Sequence, residues 1–197
     1  MNLVDRVVIL HEALDVLDIP HAIGGALSLG YHAEPRGTVE IDLDIFLPPS
    51  REDFVVSSLI EIGVEKPAPP TSIRIPTQGI QCPWGDTHID LFFAYDDEFF
   101  NSVRERVETH PFRDSRRIFH DLPFLSAEDL TIFKISFNRP KDWVDIEAML
   151  RQAPLDYDYV EKWLLHLRGE TVWPKLRRFL DLCDQVVPGL IEPEGPE

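Results

Sequence analysis

The feature that most constrains this chain is the alternation Thr38-Val39-Glu40-Ile41-Asp42-Leu43-Asp44-Ile45. A period of two reads as a half-buried strand. It predicts Val39, Ile41, Leu43 and Ile45 on the core side, with Glu40, Asp42 and Asp44 on the opposite face. Carboxylates repeated about every 7 Å along one strand face repel one another. A hard cation among them relieves that repulsion, and Mg2+ favours one or two carboxylates together with substrate phosphates. Just upstream, the short apolar run His21-Ala22-Ile23 reads as a strand that leads into Gly24-Gly25 and a helical segment, Ala26 to His32. A glycine turn opening a helix presents backbone N–H groups to phosphate. A tight strand-to-helix turn is the other, less favoured reading of the glycine pair.

The 197 residues suit one domain, or one domain with a helical appendage. With 35 acids against 19 Lys and Arg, the net charge of −16 disfavours broad, non-specific nucleic-acid binding, which works by neutralising phosphates. A local basic groove stays open, with Arg113/Arg116/Arg117 and Lys175/Arg177/Arg178 as its candidates. No apolar run approaches the ~20 residues of a membrane span, so no membrane partner is expected. The N-terminus carries acids and no small-residue cleavage site. Cys82 and Cys183 have no metal-type spacing and read as reduced thiols, which points to the cytoplasm.

Along the chain, Asn2 to Asp18 has near-helical apolar spacing and ends at Ile19-Pro20. Glu34 to Gly37 is a loop before the carboxylate strand, which Pro48-Pro49 ends. Ser50 with Asp53 reads as an N-cap for a helix running to Gly63. Ser72 to Ile80 and His88 to Ala94 read as strands joined by turn chemistry at Cys82 to Asp86. A helix is expected over Asp96 to Thr109, and Arg116 to His120 as one more short strand. From Ser126 the pattern turns helical, with segments to Asn138 and over Lys141–Gln152, Asp156–Arg168 and Trp173–Val187. The expected organisation is a catalytic α/β half at 1–125 and a helical region at 126–190 packed on it. Residues 191–197 form a disordered tail.

The glycine pair and acidic–apolar–acidic strand together resemble the nucleotidyltransferase superfamily. From Gly24-Gly25-Ala26 through Pro35-Arg36-Gly37-Thr38 to Glu40-Ile41-Asp42, the chain is similar to the minimal, AbiEii-like branch of abortive-infection and toxin–antitoxin systems. Lys134 followed by Arg139-Pro140-Lys141-Asp142-x-x-Asp145 resembles that branch's K…R-x-K-D-x-x-D segment. The likeness covers residues 20–150 or so and implies an α+β fold: a mixed β-sheet flanked by helices, with a C-terminal helical half.

The resemblance also implies roles. Glu40, Asp42, Asp44 and Asp90, the last on the His88–Ala94 strand, are the expected ligands of Mg2+ or Mn2+. Glu40 stands where the branch carries Asp. By the R-x-T-x-D-h-D pattern the metal pair is Glu40 and Asp42, and by the broader D-h-[DE]-h pattern it is Asp42 and Asp44. Gly24, Gly25, Ser28, Arg36, Thr38, Lys134 and Arg139 are expected at the nucleotide. Ser28 either reaches a phosphate or packs, and Arg36 either meets the triphosphate or holds the loop. Lys134 either snorkels outward or, as the family implies, points into the cleft. Asp142 and Asp145 act as a base, as anchors for Lys134 and Arg139, or as helix-capping acids. His21, His32, His88, His110, His120 and His166 lack ligand spacing and read as structural.

The implied activity is Mg-dependent transfer of NMP from NTP to an acceptor hydroxyl of a protein, tRNA or small molecule. A toxin role would bring a cognate antitoxin as a partner, and the short chain and exposed aromatics allow a homodimer. The rival expectation, motivated by Glu40, is an inactive fold relative that binds a nucleotide or partner.

Overall fold

The computed structural model describes residues 1–69 and 79–186. The chain divides into two compact units, Met1–Ser28 with Arg36–Ser126, and Leu29–Pro35 with Ala127–Glu197. The first holds β1 (His21–Ile23), β2 (Glu40–Ile45), β3 (Ile80–Trp84), β4 (Thr87–Phe93), β5 (Glu108–Arg113) and β6 (Phe119–Phe124). They form one mixed sheet in the order β3-β4-β2-β1-β6-β5, in which β2 pairs in parallel with β4 and β1 with β6. The other pairings are antiparallel. Helices α1 (Leu3–Val16), α3 (Glu52–Ile60) and α4 (Asp97–Glu105) complete this unit, and α2 (Gly25–His32) is divided between the two. Helices α5 (Ala127–Phe137), α6 (Pro140–Leu150), α7 (Tyr157–Arg168) and α8 (Trp173–Val186) lie in the second unit. No helix among the described residues is long and apolar enough to cross a membrane.

The alternation at β2 folds as its period demands. Ile41, Leu43 and Ile45 are fully buried, as are Ile89 and Leu91 beside them on β4. Burying two such strands on one face makes a large contribution, because each aliphatic side chain removed from water is worth about 1.5–3 kcal/mol. Val39, expected in the core, is instead 65% exposed. It precedes the first ladder pair, Glu40 with His88, and so has no strand on which to bury.

Other boundaries move for identifiable reasons. Ser50 is not an N-cap, because Pro49 already opens a 3-10 turn (Pro49–Arg51) that runs into α3. Cys82, Pro83 and Trp84 belong to β3 rather than to a turn, and the hairpin closes at Gly85-Asp86, with Gly85 at φ +67°. Thr109 leaves the expected helix because Glu108–Arg113 pairs with β6, a tertiary ladder that overrides local helical pattern. The strand expected from Ser72 lies, up to residue 78, outside the described residues, as does the tail from 187 on.

Three contacts missed in the sequence steady this unit. Arg6 on α1, almost wholly buried, donates from Nη1 to Asp86 Oδ1 at 2.5 Å and holds that carboxyl below the usual carboxylate range. It thereby clamps the β3–β4 turn. At the start of β1, His21 Nδ1 lies 2.8 Å from the Ile19 carbonyl, so that nitrogen carries the proton and donates. His21 Nε2 then accepts from His11 Nδ1 at 3.0 Å. Burial lowers both imidazoles below the usual histidine value, with Asp15 and Glu12 partly offsetting this at His11.

Since the native state favours neutral His21, the unfolded state binds the extra proton as pH falls. Stability from this pair is therefore complete above the unfolded value near 6.5 and lost as pH drops below it. Urea unfolding at pH 7.5 and 5.5 should show a lower midpoint at 5.5, and H21Q should flatten the difference.

Candidate active site

The parallel pairing of β2 with β4 sets Glu40 beside His88, Asp42 beside Asp90 and Asp44 beside Phe92 on one sheet face. Three of these side chains converge: one ligand atom each from Glu40, His88 and Asp90 lie within 4.8 Å of one another. His88 Nε2 is 3.6 Å from Glu40 Oε1 and 4.0 Å from Asp90 Oδ1, and all three are partly exposed. Gln81 on β3 donates from Nε2 to Asp90 Oδ1 at 3.2 Å, fixing the carboxylate from the next strand. Two carboxylates and an imidazole at this spacing are a donor set that fits a divalent cation. Glu40 and Asp90, both expected as ligands, are in this group. His88, read as structural, is in it too, because its partner across the ladder cannot be seen from spacing along one strand.

Asp42 and Asp44 are turned to the glycine turn. A Cβ placed on Gly25 would stand 1.8 Å from Asp42 Oδ2, and Gly25 itself sits at φ +56°. A Cβ on Gly24 would stand 2.9 Å from Asp44 Oδ2 and 3.2 Å from Leu125 Cδ1. The Gly24 amide donates to the Asp42 carbonyl at 2.9 Å. Both glycines are thus required by the neighbouring carboxylates, and they let the first turn of α2 approach the acidic strand. The positive end of the α2 dipole favours negative charge at this point, whether carboxylate or phosphate. Asp44 is buried at 4% exposure, deep to Gly24, whereas Asp42 is partly exposed.

The remaining residues expected at the nucleotide take separate places. Ser28, fully buried, donates its hydroxyl to the Leu125 carbonyl at 2.9 Å and ties α2 to the end of β6. The Glu40 amide donates to Thr38 Oγ1 at 3.1 Å, which sets the entry to β2. Arg36 is exposed in the loop ahead of it.

No protein-family model matches the chain, and no curated protein matches its sequence. Solved structures do. The antibiotic-resistance factor ANT(2'')-Ia in solution matches at TM-score 0.55 and 14% identity, over 89% of this chain and 96% of that one. The lincosamide antibiotic adenylyltransferase LnuA, lincomycin-bound, matches at 0.52 and 12%, over 74% and 94%. An antigenic nucleotidyltransferase-like protein from Paracoccidioides brasiliensis matches at 0.51 and 17%, over 94% and 96%. The fold is a nucleotidyltransferase fold.

Within the second unit, Lys134 and Asp145 form a buried ion pair, Nζ to Oδ2 at 2.6 Å, with side chains only 5% and 4% exposed. Lys134 therefore does not snorkel. Asp142, fully buried, accepts from the Arg139 amide and Nε at 2.9 Å each and from Nη2 at 3.0 Å, so it caps α6 and anchors Arg139. These contacts agree with the anchoring alternative, Asp145 holding Lys134 and Asp142 holding Arg139. Asp129, also fully buried, accepts from the Tyr159 hydroxyl at 2.7 Å.

Two outcomes follow from these contacts. G25A loses about 1–2 kcal/mol from the left-handed backbone alone and also pushes Asp42 aside, so its urea midpoint should fall. K134M takes the Lys134 cation away from the buried Asp145 carboxylate and should cost roughly 3–5 kcal/mol, whereas K134M/D145L should recover most of that loss in the same unfolding measurement.

Proposed function

We propose that the protein is a metal-dependent nucleotidyltransferase that moves an NMP group from an NTP to a hydroxyl of a small molecule. The observation that carries the reading is the meeting, in one compact unit, of the Gly24–Gly25 helix start with the β2 and β4 carboxylates. Glu40, Asp42 and Asp90 would hold Mg2+ or Mn2+, with Asp44 deep to the turn, and the ion supplies charge neutralisation at the transferring phosphate. Amides of the first turn of α2 bind phosphate oxygens, and Arg36 reaches the triphosphate from its loop. The acceptor oxygen attacks the α-phosphorus, and the bond from that phosphorus to the bridging oxygen of the β-phosphate breaks. Pyrophosphate leaves, and the hydroxyl proton passes to Asp90, which Gln81 orients. Lys134, Asp142 and Arg139 act in this reading by keeping α5 and α6 in place.

A small acceptor is favoured by the net charge of −16, which repels RNA. It also agrees with the compounds that fold relatives hold, adenylyl-2''-tobramycin on ANT(2'')-Ia and lincomycin on LnuA. The toxin or abortive-infection role implied by the Arg36–Asp42 motif, with a cognate antitoxin, is the form the same chemistry takes if the acceptor is a protein or tRNA end.

Calorimetry with each of the four NTPs, with and without Mg2+ or Mn2+, tests the reading. Binding should need the metal, and D42N should weaken it at least about tenfold. Mass spectrometry should then find NMP added to a polyhydroxylated small molecule and none on tRNA. No NTP binding under any metal condition would leave the fold as a partner-binding module.

A further inference from the structure

One corner of the metal-binding face is not oxygen. Glu40 and His88 are direct neighbours across the parallel β2–β4 ladder, and Asp90 follows His88 on the same side of β4. The His88 Nε2 separations of 3.6 Å and 4.0 Å are too long for hydrogen bonds, which need about 2.7–3.2 Å. The neutral imidazole is therefore hydrogen-bonded to neither carboxylate, and it pairs with them only when it carries a second proton. Two ligands of one ion, each about 2.0–2.2 Å from it, stand no more than about 4.4 Å apart. Both separations fall inside that limit. The residues also explain each other, because the longer glutamate stands opposite an imidazole rather than another short carboxylate.

An imidazole nitrogen is a poor ligand for Mg2+, which is hard and demands oxygen, and a good one for first-row transition ions. We propose that His88 ligates metal through Nε2 and that the Glu40–His88–Asp90 set selects a transition-metal ion, with Mn2+ as its probe, over Mg2+. The proposal rests on the nucleotidyl-transfer reading for what the ion does, but the seat itself needs only these three side chains. Asp42, turned to the glycine turn, adds its carboxylate to the ion from the side of the helix start, with Asp44 deep to that turn.

The test is Mn2+ titration of the full chain, with and without ATP, followed by loss of the free-ion paramagnetic resonance signal. Pulsed spectra of the bound ion then look for nitrogen coupling. In the wild type, bound Mn2+ should couple to one imidazole nitrogen, and Mg2+ should displace it only at about tenfold or greater excess. H88Q should lose the coupling and about tenfold or more of the Mn2+ affinity while Mg2+ affinity stays within about threefold. H88D should regain affinity for both ions without the nitrogen signal, so the preference disappears. The wild-type spectrum needs no variant, and His88 is partly exposed, so these changes do not disturb the core. Bound Mn2+ without nitrogen coupling, no Mn2+ binding with or without ATP, or unchanged Mn2+ affinity in H88Q would each overturn the proposal. Nitrogen-coupled Mn2+ in a protein that binds no NTP would uphold the ligand and sink nucleotidyl transfer. NTP binding with an all-oxygen metal site would do the reverse.

Discussion

The arrangement depends on one steric fact, that two carboxylates of β2 occupy the space where side chains at Gly24 and Gly25 would be. Asp42 Oδ2 lies where a Gly25 Cβ would stand, and Asp44 Oδ2 crowds the same position on Gly24. The absence of two methyl groups lets the start of α2 settle directly on the acidic strand. The Gly24 amide then reaches the Asp42 carbonyl, and the Ser28 hydroxyl one turn later locks onto Leu125. Helix start, central strand and end of β6 are thereby fixed to one another. What is brought together is a region of positive potential from backbone dipoles and a region of negative charge from carboxylates, the two things a metal–triphosphate complex requires.

The second ingredient is the parallel register between β2 and β4. Parallel neighbours need a long crossover, so the partners are far apart in sequence, and only the ladder makes Glu40 a neighbour of His88 and Asp42 a neighbour of Asp90. A one-residue slip would send every acid to the apolar side. The fully buried Ile41, Leu43, Ile89 and Leu91 oppose that slip, so the hydrophobic face of the two strands sets the geometry of the polar one. The Arg6 guanidinium, reaching from α1 to Asp86, holds the turn from which β4 departs.

Much of this was legible because it is local. The period of β2, the glycine pair before α2 and the chain of four helices after Ser126 are short-range patterns, and the resemblance that such motifs carry implied a mixed sheet with a helical second half. What escaped is what depends on a distant partner. His88 carries no spacing signal because its companions sit on another strand and at a separation set by register. Thr109 read as helix because its ladder with β6 competes against a plausible local pattern. Val39 fitted the alternation, yet the ladder starts one residue later.

The two outer strands share an unusual residue. Proline occurs in both, Pro83 in β3 and Pro111 in β5, and each pairs inward through the ladder, Pro83 with His88 and Pro111 with Asp121. A proline tolerated at such a position has its missing N–H on the rim, and the Pro83 carbonyl is already taken by the Glu65 amide. A second chain adding itself to either rim of the sheet would therefore lose a rung of hydrogen bonding where it needs continuity. The same sheet that lines up a dense row of carboxylates is in this way poorly suited to growing into an aggregate.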